Sequence, residues 1–494
     1  MRRIKWVLLL FAAVLAVASA SRVLPGPTGP FDRLIVDGRP YFWAGVNYPY
    51  KTSQDFGTNA WGYSGTAQPT THAEIETDFA NLAASGVRVV KWRIFNDGRS
   101  SPQFNQDGYA IGLGSHFYSD LDAALDIARR HGIYLVFTLF NSGFWTTDCT
   151  QQGVHLGGHA DSLTDPAKRQ ALLDNAIIPM LRHIGSNPQV LGYEIIAEPE
   201  WGIDELNNQQ DNRTKVSLGD VRALVGDTAA AIHYYTDGLA TVESNRASNM
   251  TYWRGLGLDY YSFSWYDWLE PWEPLNRPAA SFHLDRPIVL GEFPSYGSTY
   301  YSLSQVYNIA LQQGYAGAFA WSYGNTDQYS HWDRVANAFL SWMRGHWALA
   351  DVVGPPSPPS APVRLLPPPY LFQDVKLIGE QDGVWLQAAV GVAKPGTYHL
   401  QWFFYDATAG PGNADDEQTL SFSGAPLHLT VPLGSLPLNR TYKVSLAIFD
   451  KNYHLQKWFD SVAVVQVEGG VPRLQAKVVE DPCGRETGPG GGGR

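Results

Sequence analysis

Two glutamates of this chain share an unusual setting. In "LGYEIIAEPEWG" (191–202) Glu198 follows a run of strand-forming apolar residues and is stopped by Pro199; in "RPIVLGEFPSYG" (286–297) Glu292 closes a similar run two residues before Pro294. Proline cannot donate to a sheet ladder and pushes the residue before it toward extended backbone, so Glu198 is expected at the mouth of a strand and not in a helix. Hydrolysis of a glycosidic bond with retention needs two carboxyl groups about 5–5.5 Å apart, one protonated to assist the departing oxygen and one ionised to attack the anomeric carbon. Either glutamate alone reads as a solvated loop carboxylate. Two of them at corresponding ends of two buried strands read as a pair.

The elements that would hold such a pair are visible along the chain. Eight β-like runs, 41–48, 87–95, 133–140, 190–196, 239–245, 258–266, 287–293 and 316–323, alternate with amphipathic helical stretches such as "AEIETDFANLAAS" and "YSDLDAALDIARRHG". The unit between the fifth and sixth runs is short, and that between the sixth and seventh is mostly loop. Apolar strands alternating with helices call for a parallel sheet covered by helices, and eight of them over about 300 residues match a closed (β/α)8 barrel, a TIM barrel, in an α/β domain. An open doubly wound sheet is the alternative, but "AGVNYPYKT" after the first run is not the Gly-rich phosphate turn such a sheet usually carries. Enzymes built on the barrel keep their chemistry at the carboxyl ends of the strands, where both glutamates fall.

At 494 residues the chain has room for the barrel and a second unit. A formal net charge of -11 argues against nucleic acid or an anionic membrane surface as partner, and 13% aromatic residues would suit the apolar faces of sugars as well as protein cores. Residues 1–20, with Arg2, Arg3 and Lys5 before an apolar run and Ala18-Ser19-Ala20, have the pattern of a cleavable secretory signal; an uncleaved anchor is the alternative, disfavoured by a run shorter than the ~20 residues of a spanning helix. The expected protein is secreted or extracellular, free of the membrane after cleavage, and monomeric. The barrel is assigned to 21–350 and a Pro-rich, semi-rigid linker to 351–369. A small all-β sandwich is assigned to 370–468 from alternating segments such as "TYHLQWFFYDA", and a disordered tail to 469–494. Cys149 and Cys483 are the only cysteines and imply neither a disulfide framework nor a zinc site.

The motifs "IIAEPE" and "IVLGEF", with Arg93 in "KWRIF", Tyr266 in "FSWYDW" and Trp321 in "GAFAWSYG", resemble those of glycoside hydrolase clan A, and the region 40–348 looks like its cellulase family, family 5. The resemblance implies that Glu198 is the general acid/base and Glu292 the nucleophile. It implies further that Tyr266 orients the nucleophile, Arg93 keeps it ionised, and Trp321 floors the sugar subsite before the cleaved bond. Three positions depart from the family pattern: Ala197 stands where the family has Asn, Ser264 where it has His, and Asn141 where it often has His. The missing Asn normally holds the sugar 2-hydroxyl, so Ala197 points either to a sugar that differs at its 2-position or to a barrel that binds without efficient turnover.

Trp145, Trp201, Trp265, Trp268 and Trp272 fall at or beyond strand ends, some expected to stack on a sugar chain and the others to pack loops; Asn47, Asn141 and Asp267 are candidates for hydroxyl contacts. His331 and Asp333 read as a helix start. "HLGGHADS" (155–162) holds two His and an Asp in a Gly-rich loop without a second ligand cluster, so no metal is expected. No G-x-S-x-G elbow supports an esterase. Trp385, Trp402, Phe403 and Trp458 of the sandwich could bind sugar but read first as its core. The expectation is a retaining β-glycosidase of a polysaccharide or oligosaccharide, needing no cofactor or metal. Its rival is a catalytically impaired carbohydrate-binding pseudo-glycosidase.

Overall fold

The computed structural model describes residues 23–25, 33–36 and 39–475, apart from short stretches at 53, 208–212, 325–326, 353–354, 356, 367, 381–382, 407–413, 434–440 and 469–470. The signal-like segment and the last nineteen residues lie outside the described residues. No helix among those described is long and apolar enough to cross a membrane.

Eight parallel strands close into a barrel. They are β1 (Trp43–Tyr48), β2 (Val89–Asn96), β3 (Tyr134–Asn141), β4 (Val190–Ala197), β5 (Leu239–Ser244), β6 (Tyr261–Ser264), β7 (Ile288–Pro294) and β8 (Gly317–Trp321). Each coincides with one of the eight runs read from the sequence. Strands buried on both faces must be apolar throughout except where function or pairing allows otherwise, and β4, β5 and β7 are buried at every position. The helices α1 (Pro69–Ala84), α2 (Phe117–His131), α3 (Leu218–Tyr235), α4 (Leu303–Gln312) and α5 (Trp332–Ala350) pack outside, and a helical stretch from Pro166 to Ile184 passes through a π turn. The fifth and sixth units have only 3-10 turns, Ala247–Trp253, Asp267–Leu269 and Ala279–Phe282, which leaves the barrel mouth there to be shaped by loops. At the opposite end Leu34 and Tyr41 of the N-terminal strands join Trp43, Val89, Val136, Leu191, Leu239 and Val289 in one buried cluster that plugs the bottom.

The second unit is a sandwich of antiparallel sheets. Three strands, β9 (Leu371–Glu380), β10 (Gly383–Gly391) and β13 (Leu427–Pro432), face five: β11 (Gly396–Asp406), β12 (Asp416–Phe422), β14 (Thr441–Asp450), β15 (Leu455–Glu468) and β16 (Val471–Gln475). Trp402 is fully buried in its core. Trp385 is half-buried, as are Phe403 and Trp458, whose rings meet at 4.9 Å. The tail assigned from Gly469 therefore starts too early, because Val471–Gln475 pairs along β15.

The Pro-rich segment is not a free spacer over its described length. Arg344 on α5 donates to the carbonyls of Pro359 and Ala361, Trp347 to that of Pro355, and Asn81 on α1 exchanges two bonds with Leu366. A proline run has carbonyls but no amide hydrogens to satisfy, so side-chain donors suffice to lay it along the barrel. The sandwich adds its own tie: Lys457 of β15 reaches Glu74 on α1 at 2.8 Å, and Gln456 offers its carbonyl to Thr70. Glu74 is buried beside Lys51 and Asp78, and Asp78 accepts from the Tyr48 hydroxyl of β1. Removing one cation from a buried carboxylate is costly, so Lys457→Met is expected to lower stability by about 1–3 kcal/mol, less than a fully buried pair because Lys51 remains. Thermal unfolding of the full chain checks this; an unchanged midpoint would uncouple the sandwich from the barrel's stability.

Candidate active site

Glu198 leaves the end of β4 through a left-handed turn, φ 50° and ψ 52°, not the extended backbone that Pro199 predicts. The register of β4 against β5 shifts between Glu194 and Ala197, and the Glu198 amide donates to the Glu243 carbonyl at 2.8 Å. These ties hold a conformation that costs a non-glycine residue about 1–3 kcal/mol. Trp201 Nε1 donates to its Oε2 at 2.8 Å. Burial, followed by the nearby negative charge of Glu292, pushes the Glu198 carboxyl up to about 7, with the neutral Trp201 and Ser264 side chains opposing the shift.

Glu292 lies within β7 and is buried. Tyr266 donates its hydroxyl to Oε2 at 3.0 Å, the Arg93 guanidinium stands 3.5 Å from Oε1, and the Glu292 carbonyl accepts from the Trp265 amide. Burial raises its carboxyl too, but here Lys91 and Arg93 oppose the shift. The two glutamates are thus electrostatically unequal: one is held by a neutral donor and the other faces two cations. Such asymmetry separates an acid from a base.

The other expected residues divide. Trp321 ends β8, takes Arg93 over its ring at 5.3 Å and donates to Asp327. Trp201 touches Glu198 directly, and Trp268 lies 6.4 Å from it, its Nε1 without a partner among the described residues. Asn141 ends β3 and donates to Asn96, leaving its own Oδ1 unpartnered. Three of the expected residues are buried and bonded within the barrel mouth. Asn47 is buried and gives its amide to the carbonyls of Gly291, Phe319 and Ala320, tying β1 to β7 and β8. Trp145 is fully buried with its Nε1 on the Gly202 carbonyl, and Trp265 is buried against Tyr301. Of the remainder, Trp272 is 79% exposed. Asp267 is spent on Ser298 and Thr299 in the loop after β7. His331 sits at the start of α5, facing Asp333 without capping the helix.

Beneath the pair lie charged residues that sequence reasoning did not single out. Lys91 of β2 reaches Glu194 of β4 at 2.9 Å and Glu243 of β5 at 2.5 Å; Thr138 of β3 donates to Glu194. The signal was present: Lys91 is two residues before Arg93, and side chains two apart share a strand face. Glu194 and Glu243 likewise interrupt apolar runs.

A cleft of about 530 Å³ opens beyond β2 and β3, lined among others by Asn59, Arg99, Gln103, Phe104, Gln106 and His155. Two of its lining charges are matched, Arg99 by Asp97 and Asp161 by Lys168. The "HLGGHADS" loop forms one wall. His159 stacks on Phe104 at 3.9 Å, and burial with His155 nearby lowers its imidazole to about 4. No group of potential metal ligands occurs among the described residues. Cys149, on the same loop, is disulfide-bonded, a bond that the sequence reading did not anticipate.

No family model matches the chain. It is similar to mannan endo-1,4-beta-mannosidases: 27% identical over 351 residues to that of Mytilus edulis, covering 62% of this chain and 91% of the other, and 23% over 341 residues to that of Cryptopygus antarcticus, covering 60% and 84%. Among solved structures, the endo-1,4-beta-mannanase of Eisenia fetida superposes with a TM-score of 0.56 at 21% identity, over 66% of this chain and 96% of that one. The barrel and these relatives support a retaining glycoside hydrolase. The chain resembles the cellulase family of clan A.

A carboxyl whose pKa is raised on folding contributes stability at low pH, below its unfolded value, and loses it as pH rises through the folded value. For Glu198 that loss spans the interval from the ordinary glutamate range to about 7. Glu198→Gln, neutral at every pH, should leave stability near wild type at pH 5 and raise it by roughly 1–3 kcal/mol at pH 8. Urea unfolding at the two pH values checks the sign; equal effects at both would contradict the raised carboxyl.

Proposed function

We propose that the protein is a secreted endo-acting hydrolase of β-1,4-linked mannan that works by double displacement. The observation that carries the mechanism is the unequal setting of the two glutamates. Glu292, facing Arg93 and Lys91 and oriented by Tyr266, attacks the anomeric carbon. The bond from that carbon to the leaving oxygen breaks, and Glu198 gives its proton to the oxygen. A water then returns a proton to Glu198 and adds its oxygen to the anomeric carbon, which releases Glu292.

Trp321 supplies a ring platform beside Arg93, and Trp201 and Trp268 supply rings next to the acid/base. The choice of mannan rests on the relatives and on Ala197. Mannose differs from glucose in the direction of its 2-hydroxyl, and Ala197, buried at the end of β4, offers a small side chain with no donor where a cellulase-family Asn would read that hydroxyl. The cleft beyond β2 and β3 gives a neutral polymer room on the same face, since Arg99 and Asp161 of its lining are already matched. Export follows from the signal-like first twenty residues.

The test is hydrolysis of mannan and of a soluble cellulose by the full chain without residues 1–20, beside Glu198→Ala and Glu292→Ala. Mannan should lose viscosity faster than it gains reducing ends, cellulose should be a poor substrate, and each variant should fall by about 10²–10⁴-fold or more. The rate profile should be a bell. Activity falls as pH rises through about 7, where Glu198 loses its proton, and falls on the acid side as Glu292 gains one, above the ordinary carboxylate range because burial raises it. Mannan left intact by wild type, or variants as active as wild type, would overturn the proposal.

A further inference from the structure

The turn that joins β14 to β15 carries an aromatic residue where a hairpin usually carries glycine or asparagine. Tyr453 has φ 59°, in the left-handed region, and a bulky residue is held there at a cost of about 1–3 kcal/mol. The turn itself is closed by Asp450, whose carboxylate accepts from the amides of Asn452 and His454 and whose carbonyl accepts from the Tyr453 amide. None of those bonds needs the tyrosine ring. The ring has contacts of its own: it lies on His399 of β11 at 3.9 Å and 12°, and its hydroxyl donates to Glu417 of β12 at 2.8 Å. His399 is fixed in turn by Thr419 at 2.9 Å. Tyr453 is nonetheless 54% exposed, so one ring face is held flat against the sheet and the other is turned to solvent.

We propose that Tyr453 is a sugar-stacking platform, a second binding site by which the sandwich holds a neutral β-linked polysaccharide while the barrel works on it. An aromatic ring offers the apolar face of a sugar a flat partner, and a ring already immobilised gives up little rotamer freedom when the sugar binds. The carboxylates beside it, Glu417 and Asp450, are spent on Gln401, on Tyr453 itself and on the turn amides, which suits an uncharged ligand. That the polymer is mannan rests on the functional reading above.

The place of the turn in the molecule favours the polymer that the barrel acts on. A helix of a (β/α)8 barrel begins at the carboxyl ends of the strands, and α1 is met in its first two turns by the residues just beyond Tyr453: the Gln456 carbonyl accepts from Thr70, and Lys457 reaches Glu74. Lys51, in the loop after β1, faces the same Glu74. The hairpin therefore stands at the end of the barrel where the two glutamates open. β1 lies between β8, which ends in Trp321, and β2, which carries Arg93, so the platform flanks the Trp321 side of the site. Tyr50, 39% exposed, belongs to the loop after β1. A polymer extending from the glutamates past Trp321 meets that loop and then the hairpin.

Retention on insoluble mannan tests the platform, using the full chain without residues 1–20 and with Glu292→Ala as the parent so that the polymer stays uncut. Adding Tyr453→Gly or Tyr453→Asn, both at ease with a positive φ, should weaken retention by about 3–10-fold, the worth of one stacked ring. Tyr453→Phe keeps the ring and its stack on His399 and should stay within about 2-fold of the parent. Thermal unfolding of each variant confirms that folded proteins are compared, and either of Tyr453→Gly and Tyr453→Asn suffices should the other not fold. The platform is overturned if the parent is not retained, if Tyr453→Gly and Tyr453→Asn are retained as well as the parent, or if Tyr453→Phe falls as far as they do. Retention that depends on Tyr453, beside a wild type that leaves mannan intact, would defeat the functional reading and leave the platform standing.

Discussion

Everything at this site depends on two cations placed on one face of β2. A parallel barrel buries both faces of its strands, and an ionised carboxyl cannot be kept there without a partner. Lys91 and Arg93 stand two residues apart, so both point inward. Arg93 meets Glu292 at the mouth, and Lys91 meets Glu194 and Glu243 below it. Were both neutral, Glu292 would be driven toward its protonated form by burial and would be unfit for the nucleophile role proposed for it. Among the described residues Glu198 has no cation beside it and is held by the Trp201 indole instead, so the same burial keeps its carboxyl raised.

The rest of the barrel serves to hold that inequality in register. Asn47 ties β1 to the backbone of β7 and β8 next to Gly291. The irregularity near the end of β4 turns Glu198 inward, and its amide is fixed by β5. Outside, Asp78 joins the hydroxyls of Tyr48 and Tyr323 to Lys51, and Glu74 on the same helix takes Lys457 from the sandwich. The second unit thus supplies a charge that the barrel's own surface leaves incomplete.

How much of this could be read from the residues follows from periodicity. The eight strands were legible because each is a compact apolar run bounded by helix or turn signals, and the 3-10 turns after β5 and β6 because helical patterning fails there. Glu198 and Glu292 stood out as carboxyls beside prolines at strand ends. The left-handed turn at Glu198 was not legible, since it arises from pairing with β5 and contradicts the local preference before proline. The burial of Asn47, Trp145 and Trp265 was not legible for a related reason: a polar or aromatic residue at a strand end looks the same whether it faces ligand or closes a loop. Lys91, Glu194 and Glu243 were overlooked because each is a lone charge in an apolar run, and only the closed sheet brings them together. The Pro-rich segment looked like a spacer because its composition says nothing of the donors on α1 and α5 that receive it.

The central claim is that Glu292, and not Glu198, carries the glycosyl group. The most direct measurement is to incubate the protein with an activated 2-deoxy-2-fluoro-β-mannoside and determine the intact mass, then locate the added group by peptide mapping. The account predicts one fluoromannosyl group per chain, on the peptide that contains Glu292, and none in Glu292→Ala. An unmodified protein that still binds mannan, or a label on Glu198, would contradict it.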